Sequence, residues 1–445
     1  MSIAAIGFLA LPWGLSAEAQ DPAVSVLHQP ITHLRTTEHR EWSSFPERAA
    51  IQTLTSTFRS PANANEWTLS IRQRDVKQTW TVLLNDNAIG RLVRDENDLI
   101  TDLGIPPGMI QDGENEIEIR QTGQLAADDV LVGSIQLAKM SPSAYRRLAS
   151  IQVAINDEDL QPMAGRITIV NEDGTLVPVG ADSTRGLAVR EGVVYTSTGV
   201  ADFGVAPGNY RVYATRGIEY GLGSTRIKIE AGEHAKRTMD LRREVDTRGW
   251  IACDTHIHTL THSGHGDATI GERMATLVGE GIELPIATEH NKHVDYAEDA
   301  SRLAVASGFT PLIGNEVTTP NGHFNIFPVE AGADIPHHQQ TDWGRLFDDI
   351  FAVPRVRVAI LNHGRDLHGG FRPLSPRHHI SIAGERLDSR PLRFNAMELL
   401  NSGAIQTVPM QLFKDWCGLL NRGLSVTPVG SSDSHDVTRF IVGQG

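Results

Sequence analysis

At Gly249 the hydrophobic rhythm of this chain changes, and a single fold cannot carry both rhythms. Before it, apolar positions recur with a period of two. "WTLSIRQRDV", "TWTVLLNDNAIGRL", "NEIEIRQ" and "DVLVGSIQLA", between about residues 65 and 140, read as short strands separated by turns such as "NDN" and "QDGEN". Strands without intervening helices predict an all-β sandwich or jelly roll. "SIQVAIND", "GRITIVNEDG", "GVVYTSTGVADFGVAPGNYRVYATRG" and "STRIKIEAG" repeat the pattern to about residue 243. Beyond Gly249, strands such as "WIACDTHIH", "ELPIATEH", "FTPLIGNEVTT" and "RVRVAILNHG" alternate with helices such as "IGERMATLVGEG", "VDYAEDASRLAVASG", "DWGRLFDDIFA" and "MQLFKDWCGLLNRG". That alternation, with near-continuous apolar strands, predicts a parallel sheet covered by helices, hence a barrel or a doubly wound fold.

The polar residues of the third region collect at strand ends. His256 and His258 end the first strand, His290 the second and Glu316 the third. His363 ends "RVAILNHG", and Asp433 and His435 end the last strand, "SVTPVGSSDSH". His323 stands where a further strand, "GHFNIF", begins. In a parallel barrel the C-terminal strand ends open onto one face, so these scattered residues would converge. The two-residue spacing of His256 with His258, and of Asp433 with His435, points each pair to one side of its strand. One strand-end histidine is usually a satisfied polar group. Seven such residues along one alternating pattern predict a metal site, and imidazole with carboxylate suits Zn²⁺, Mn²⁺ or Fe²⁺.

Composition narrows the alternatives. The net charge of −14 argues against a nucleic-acid surface. Two cysteines, Cys253 and Cys417, are too few for a disulfide scaffold or a cysteine zinc site and are expected as small core residues. The apolar opening "MSIAAIGFLALPWGLSAEAQ", ending at Ala17-Glu18-Ala19, predicts a signal peptide over 1–19 and export to the periplasm or outside the cell. No later stretch is apolar enough to span a membrane. Trp67 and Trp80 are expected in the core of the first sandwich, with sugar stacking as the alternative. Residues 1–243 supply none of the candidate ligands.

"DTHIHT", "ATEHN", "GNEV", "GHFN", "NHGRD" and "GSSDSH", in this order, resemble the successive metal motifs of the PHP (polymerase and histidinol phosphatase) superfamily, in particular its carbaryl hydrolase branch. The likeness covers residues 250–445. It implies a distorted (β/α)7 barrel with two or three divalent ions, Zn, Mn or Fe. His256, His258, Glu316 and Asp433 would hold the first ion. Glu316 would bridge to a second, completed by His323 and His363, and His265, His290 and His435 would hold a third. Glu289 stands where the superfamily usually has Asp, which puts a supporting hydrogen bond in question. The segment between His258 and His265 is one residue longer than in many relatives, making Asp267 a rival ligand. The N-terminal segments resemble a galactose-binding-like sandwich (25–140) and a carboxypeptidase-regulatory-like sandwich (146–243), with the barrel over 246–445.

The expected activity is hydrolysis of a small-molecule ester-type substrate by metal-bound hydroxide. Phosphoester cleavage leads, followed by carbamate or carboxyl ester cleavage. A non-catalytic protein with structural metals, binding carbohydrate or a surface, is the alternative of another class. The first sandwich is a candidate carbohydrate module. Arg365 is the candidate anion clamp, with Arg439 behind it, and His293 is a candidate catalytic residue because it closely follows "EHN". His262, His337, His338, His378 and His379 are read as loop residues. The chain is expected to be C-terminally truncated, with a loosely packed tail "RFIVGQG", because no helix follows the last strand.

Overall fold

The computed structural model describes residues 24–123, 127–366, 374, 380–381, 383–386, 389–403 and 410–445. The candidate signal peptide, His378 and His379 lie outside them. The chain is multidomain, with β-sandwich sheets first and a mixed α/β region after them. Two four-stranded antiparallel sheets make the first part. One contains Val24–Leu34, Val130–Ala138, Trp67–Arg74 and Leu99–Ile105; the other contains Thr53–Ser60, Gly113–Gln121, Trp80–Leu84 and Asn87–Arg91. Inward residues such as Leu69, Ile71, Val82, Ile117 and Val132 close one core between the sheets. Trp67 and Trp80 are both buried in it, and Trp80 donates its indole N–H to Asp128 at 2.7 Å. A buried indole needs such an acceptor, and neither ring is presented to a sugar.

The second part pairs a five-stranded sheet with a three-stranded one, again around its own core. Its three-stranded sheet is mixed, because His234–Asp240 runs parallel to Ala149–Asn156.

The third part divides into a parallel sheet of Cys253–Ile257, Leu284–Ala287 and Leu312–Ile313, and a five-stranded sheet of Asn315–Thr319, Gly322–Phe327, Val358–Leu361, Ala396–Asn401 and Thr427–Ser431. The sheets meet at both edges through single parallel bridges, Ile257 with Ser434 and His290 with Glu316. The uniformly parallel sheet expected from the alternation is corrected at one strand: Gly322–Phe327 is antiparallel to both neighbours. A two-residue hairpin loop returns the chain, so the start of that strand lies at the same end as the finish of Asn315–Thr319. This is why His323, at a strand start, joins residues from strand ends.

The helix Ile270–Gly279 begins in a capping box between Thr269 and Glu272. Its buried face meets the second part, where Gly279 lies so close to Tyr195 that an added Cβ would approach the ring to 2.7 Å. The longer helix expected over "VDYAEDASRLAVASG" shrinks to Ala297–Arg302, since Ala304 adopts a left-handed backbone (φ 61°) that a helix cannot continue through.

Two further expectations are corrected. Cys253 is at the surface, because it lies at the start of its strand, and both cysteines are free thiols. The tail is packed: Val442 is 2% exposed within the core of the third part. The Gly443 N–H donates to Asp254 at 2.7 Å, and Ser402 Oγ donates to the Gln444 carbonyl at 2.6 Å.

Candidate metal centre

The third part brings His256, His258, His290, His363, Asp433 and His435, at or just past strand ends, together with Glu316 and His323, each second in its strand, into one cluster. His256 Nε2 lies 3.3 Å from Glu316 Oε1 and 3.2 Å from Asp433 Oδ1. His258 Nε2 lies 3.5 Å from Glu316 Oε2 and 3.3 Å from Asp433 Oδ1. Ligands at about 2.0–2.1 Å from a tetrahedral ion stand about 3.3–3.4 Å from one another. These four residues therefore have the spacing of a coordination shell. Glu316 Oε1 also lies 3.1 Å from His323 Nδ1 and 3.4 Å from His363 Nε2, and Glu316 Oε2 lies 2.6 Å from His290 Nδ1. Ligand atoms of His258, His290 and His435 form another group within 4.8 Å of one another. Glu316 is the hub of five of these contacts, to His256, His258, His290, His323 and His363.

The buried atoms Nε2 of His256, His258 and His435, and Oε2 of Glu316, have no hydrogen bond of acceptable geometry. Burying such groups unsatisfied costs about 1–3 kcal/mol each, so a protein that aims several at one point does so for a ligand. Soft donors are absent from the set, and the imidazole–carboxylate chemistry fits a divalent ion of the Zn, Mn or Fe type.

Electrostatics follow the same plan. Burial opposes the charge on Glu316, but His290, His323 and His256 around it hold its carboxyl well below the usual range. Asp433 behaves alike, burial opposing its charge and His256 first among the groups favouring it. Burial, with His435 and His290 nearby, pushes His258 well down, and burial takes His435 to about 4. Both imidazoles are neutral in neutral solution, the form that binds metal. His363 goes the other way, to about 9, because Glu316, Asp433 and Glu398 outweigh its burial. Both His363 (φ 27°) and Asp433 (φ 51°) have left-handed backbones, a strain that tends to collect at functional sites.

Supporting residues orient the ligands. Glu398, which sequence reasoning missed, is fully buried and lies 2.7 Å from His256 Nδ1. It also accepts from the His363 N–H at 2.6 Å and from Asn401 at 2.8 Å. The available signal was a lone acidic residue inside the apolar stretch "FNAMELL". Arg273, also missed, is buried and donates to the carbonyls of His258 and Ser434 at 3.0 Å each, tying the first motif to the last. Glu289 is buried and supports the first motif. It accepts from Thr259 Oγ1 and Tyr296 Oη at 2.7 Å, and from Ser263 Oγ at 2.5 Å. Ser263 Oγ is in turn 3.2 Å from His258 Nδ1.

His265 stacks on His290 and lies tilted against His435, ring centroids 4.9 and 4.4 Å away. Gly266 (φ 80°) makes this possible, since a Cβ there would fall 2.4 Å from the His435 carbonyl oxygen. Asp267 does not join the cluster: Oδ2 accepts from Arg190 at 2.8 Å and Oδ1 from the Val437 N–H at 2.8 Å. His293 is also elsewhere, with Nδ1 3.0 Å from the Ala333 carbonyl oxygen. The Arg365 guanidinium grips Asp415 through two hydrogen bonds, at 2.5 and 2.8 Å, and is spent on that buried carboxylate. His262, expected in a loop, instead lies in the single helical turn Leu260–Ser263, where its N–H donates to the hydroxyl of the N-cap Thr259 at 3.1 Å.

The cluster opens into a cleft of about 1720 Å³, lined also by residues of both β parts. None of the helices among the described residues is long and apolar enough to cross a membrane.

No family model matches the chain, and no curated protein matches it. Solved structures that it is similar to include a family 35 carbohydrate-binding module from an environmental isolate, at 16% identity over 25% of this chain and 85% of that one (TM-score 0.18). The CBM36-1 domain of a multidomain xylanase from the hindgut metagenome of Trinervitermes trinervoides matches at 10% identity over 26% and 96% (TM-score 0.19). A GH2 β-galacturonidase from Eisenbergiella tayi matches at 10% identity over 63% and 56% (TM-score 0.18). Likeness this slight says nothing about what the present chain binds or does.

Proposed function

We propose that this protein is an exported, metal-dependent hydrolase of an ester-type bond. The observation that carries the reading is the quadrilateral of His256, His258, Glu316 and Asp433, with 3.2–3.5 Å edges, beside a cleft wide enough for a substrate. On this reading those four residues hold one ion, and Glu316 reaches a second with His323 and His363. His290 and His435 serve a third, with His265 beside them. Bound there, such ions activate a water for attack and polarise the bond that it attacks. The bridged edges of the two C-terminal sheets support a PHP-type distorted barrel, since a ring of strands would put all these residues on one rim. Working boundaries are 1–19, 25–140, 146–243 and 246–445.

Cleavage of a neutral carboxyl ester or carbamate leads over phosphoester cleavage. The specific observation in its favour is the Arg365–Asp415 pair, which engages two of the nitrogens of the candidate anion clamp. Phosphoester cleavage is the second reading, favoured by a carboxylate shared between ions. The test is a parallel assay of aryl acetate, aryl carbamate and aryl phosphate on manganese- and zinc-loaded protein of known metal content. Acetate or carbamate turnover above phosphate release is expected. Phosphate release dominating would restore the other order, and metal-replete protein inactive on all three would end the hydrolase reading.

A further inference from the structure

The cleft beside the cluster has a wall that the ligands do not explain. Trp42 and Phe440 both line it, one from the first sandwich and one from the tail. Trp42 is 47% exposed, on a stretch without regular secondary structure. That stretch is nevertheless held firmly. Arg35, buried at its base, donates to the carbonyls of Thr37, Pro46 and Glu47 at 3.2, 3.1 and 2.5 Å, and the Glu41 N–H donates to Asp129 at 2.7 Å. A large indole carried on a staked loop is preorganised contact area, with little entropy left to lose on binding. Phe440, with the Arg439 guanidinium over one side of its ring at 5.0 Å, is the independent observation. Its φ of 49° is left-handed, which costs a bulky residue about 1–2 kcal/mol, and such strain persists at ligand-binding sites.

We propose that Trp42 and Phe440 form a subsite for a neutral ring carried by the substrate, which makes the first sandwich a part of the substrate pocket. That the ring carries no negative charge follows from the cations around the cleft. Lys77 pairs with Glu41 at 3.2 Å, Arg146 with Glu191 at 3.2 Å, Arg190 with Asp267 at 2.8 Å and Arg439 with Glu96 at 3.4 Å. Among the described residues that line the cleft the remaining cation, Arg94, is exposed to solvent and donates Nε–H to the Lys77 carbonyl. An aryl group and the C–H face of a pyranose share the flat apolar surface that an indole stacks against. The cleft volume exceeds the roughly 300–1,000 Å³ of ordinary small-ligand sites, leaving room for such a group beyond the bond attacked.

This rests on the hydrolase reading, and two measurements separate their failures. In steady-state kinetics on the full metal-loaded chain, Trp42→Ala and Phe440→Leu should each raise KM for a phenyl or glycosyl acetate about tenfold. Values of kcat, and both constants for methyl acetate, should stay within about twofold, and Trp42→Phe should restore most of the loss. Separately, NMR line broadening of phenol and of methyl glucoside by metal-free wild-type protein reports the subsite with no turnover involved. Broadening that Trp42→Ala abolishes supports the subsite even if no ester is cleaved, and the ring that responds identifies its source. Unchanged KM for both ring esters, or no broadening by wild-type protein with either ring, overturns it.

Discussion

Asp128 and Asp129 in the first sandwich are as deeply buried as Glu316 in the candidate metal centre, but their surroundings are complete. Asp129 accepts from Arg35 at 2.8 Å and from the Glu41 N–H at 2.7 Å, with His33 Nε2 at 2.6 Å. Asp128 accepts from Trp80 at 2.7 Å and from the Gln78 N–H at 2.9 Å. Around Glu316 and Asp433, by contrast, the imidazole nitrogens other than His290 Nδ1 (2.6 Å) stand 3.1–3.6 Å away, and several lack a proper hydrogen bond. A buried charge whose partners all come from the chain holds the fold together. One whose partners are left aimed at a common point needs something from outside.

The sharpest break between the two is Glu316→Gln. It should cost more than one metal equivalent and most turnover, with elemental analysis as the measurement. Unchanged metal content would remove Glu316 from the hub. Next, Asp129→Ala strands the buried Arg35 and should destabilise the fold by about 3–5 kcal/mol, equally with and without chelator. Urea unfolding under both conditions checks this, and a chelator-dependent loss would erase the distinction drawn above.

Glu398→Gln tests an intermediate case, a completed carboxylate whose job is to aim a ligand. Metal affinity by chelator competition should fall about 10–100-fold. Unchanged affinity would assign Glu398 to packing alone. A smaller effect is expected at Arg365→Lys, which keeps a cation beside Asp415. Aryl phosphate and aryl acetate turnover should change by the same factor, within about threefold, since the side chain faces Asp415. A selective loss of phosphate turnover would return Arg365 to the site.

The smallest effect joins the second and third parts. Burial raises the Glu272 carboxyl, but hydrogen bonds led by Arg190 outweigh it and hold it at about 2 against an ordinary 4.5. A lowered folded value means stability that is full above about 4.5 and lost as pH falls toward about 2. Acid titration of thermal melts should show this loss in wild type and a smaller one in Arg190→Gln. Identical slopes would take Glu272 out of the acid response.

Local pattern alone carried much of this protein. The switch of period near Gly249 separated sandwiches from the α/β region, because side-chain periodicity is set by backbone geometry and survives without tertiary information. The strand-end placement of His256, His258 and Asp433 was legible for the same reason, whereas Glu316, expected at a strand end, stands second in Asn315–Thr319 after a break at Gly314. What tertiary structure decided were the partners of long, flexible or isolated polar groups. Arg365 and Asp267 read as site residues until Asp415 and Arg190, distant in sequence, claimed them. Glu398 looked like one acid in an apolar strand until folding set it against His256, 142 positions away. Trp42 joined the cleft only because the first sandwich meets the tail, Glu96 beside Arg439 and Asp95 beside Thr438. Those choices depend on which chain segments meet, and nothing local to the residues encodes that.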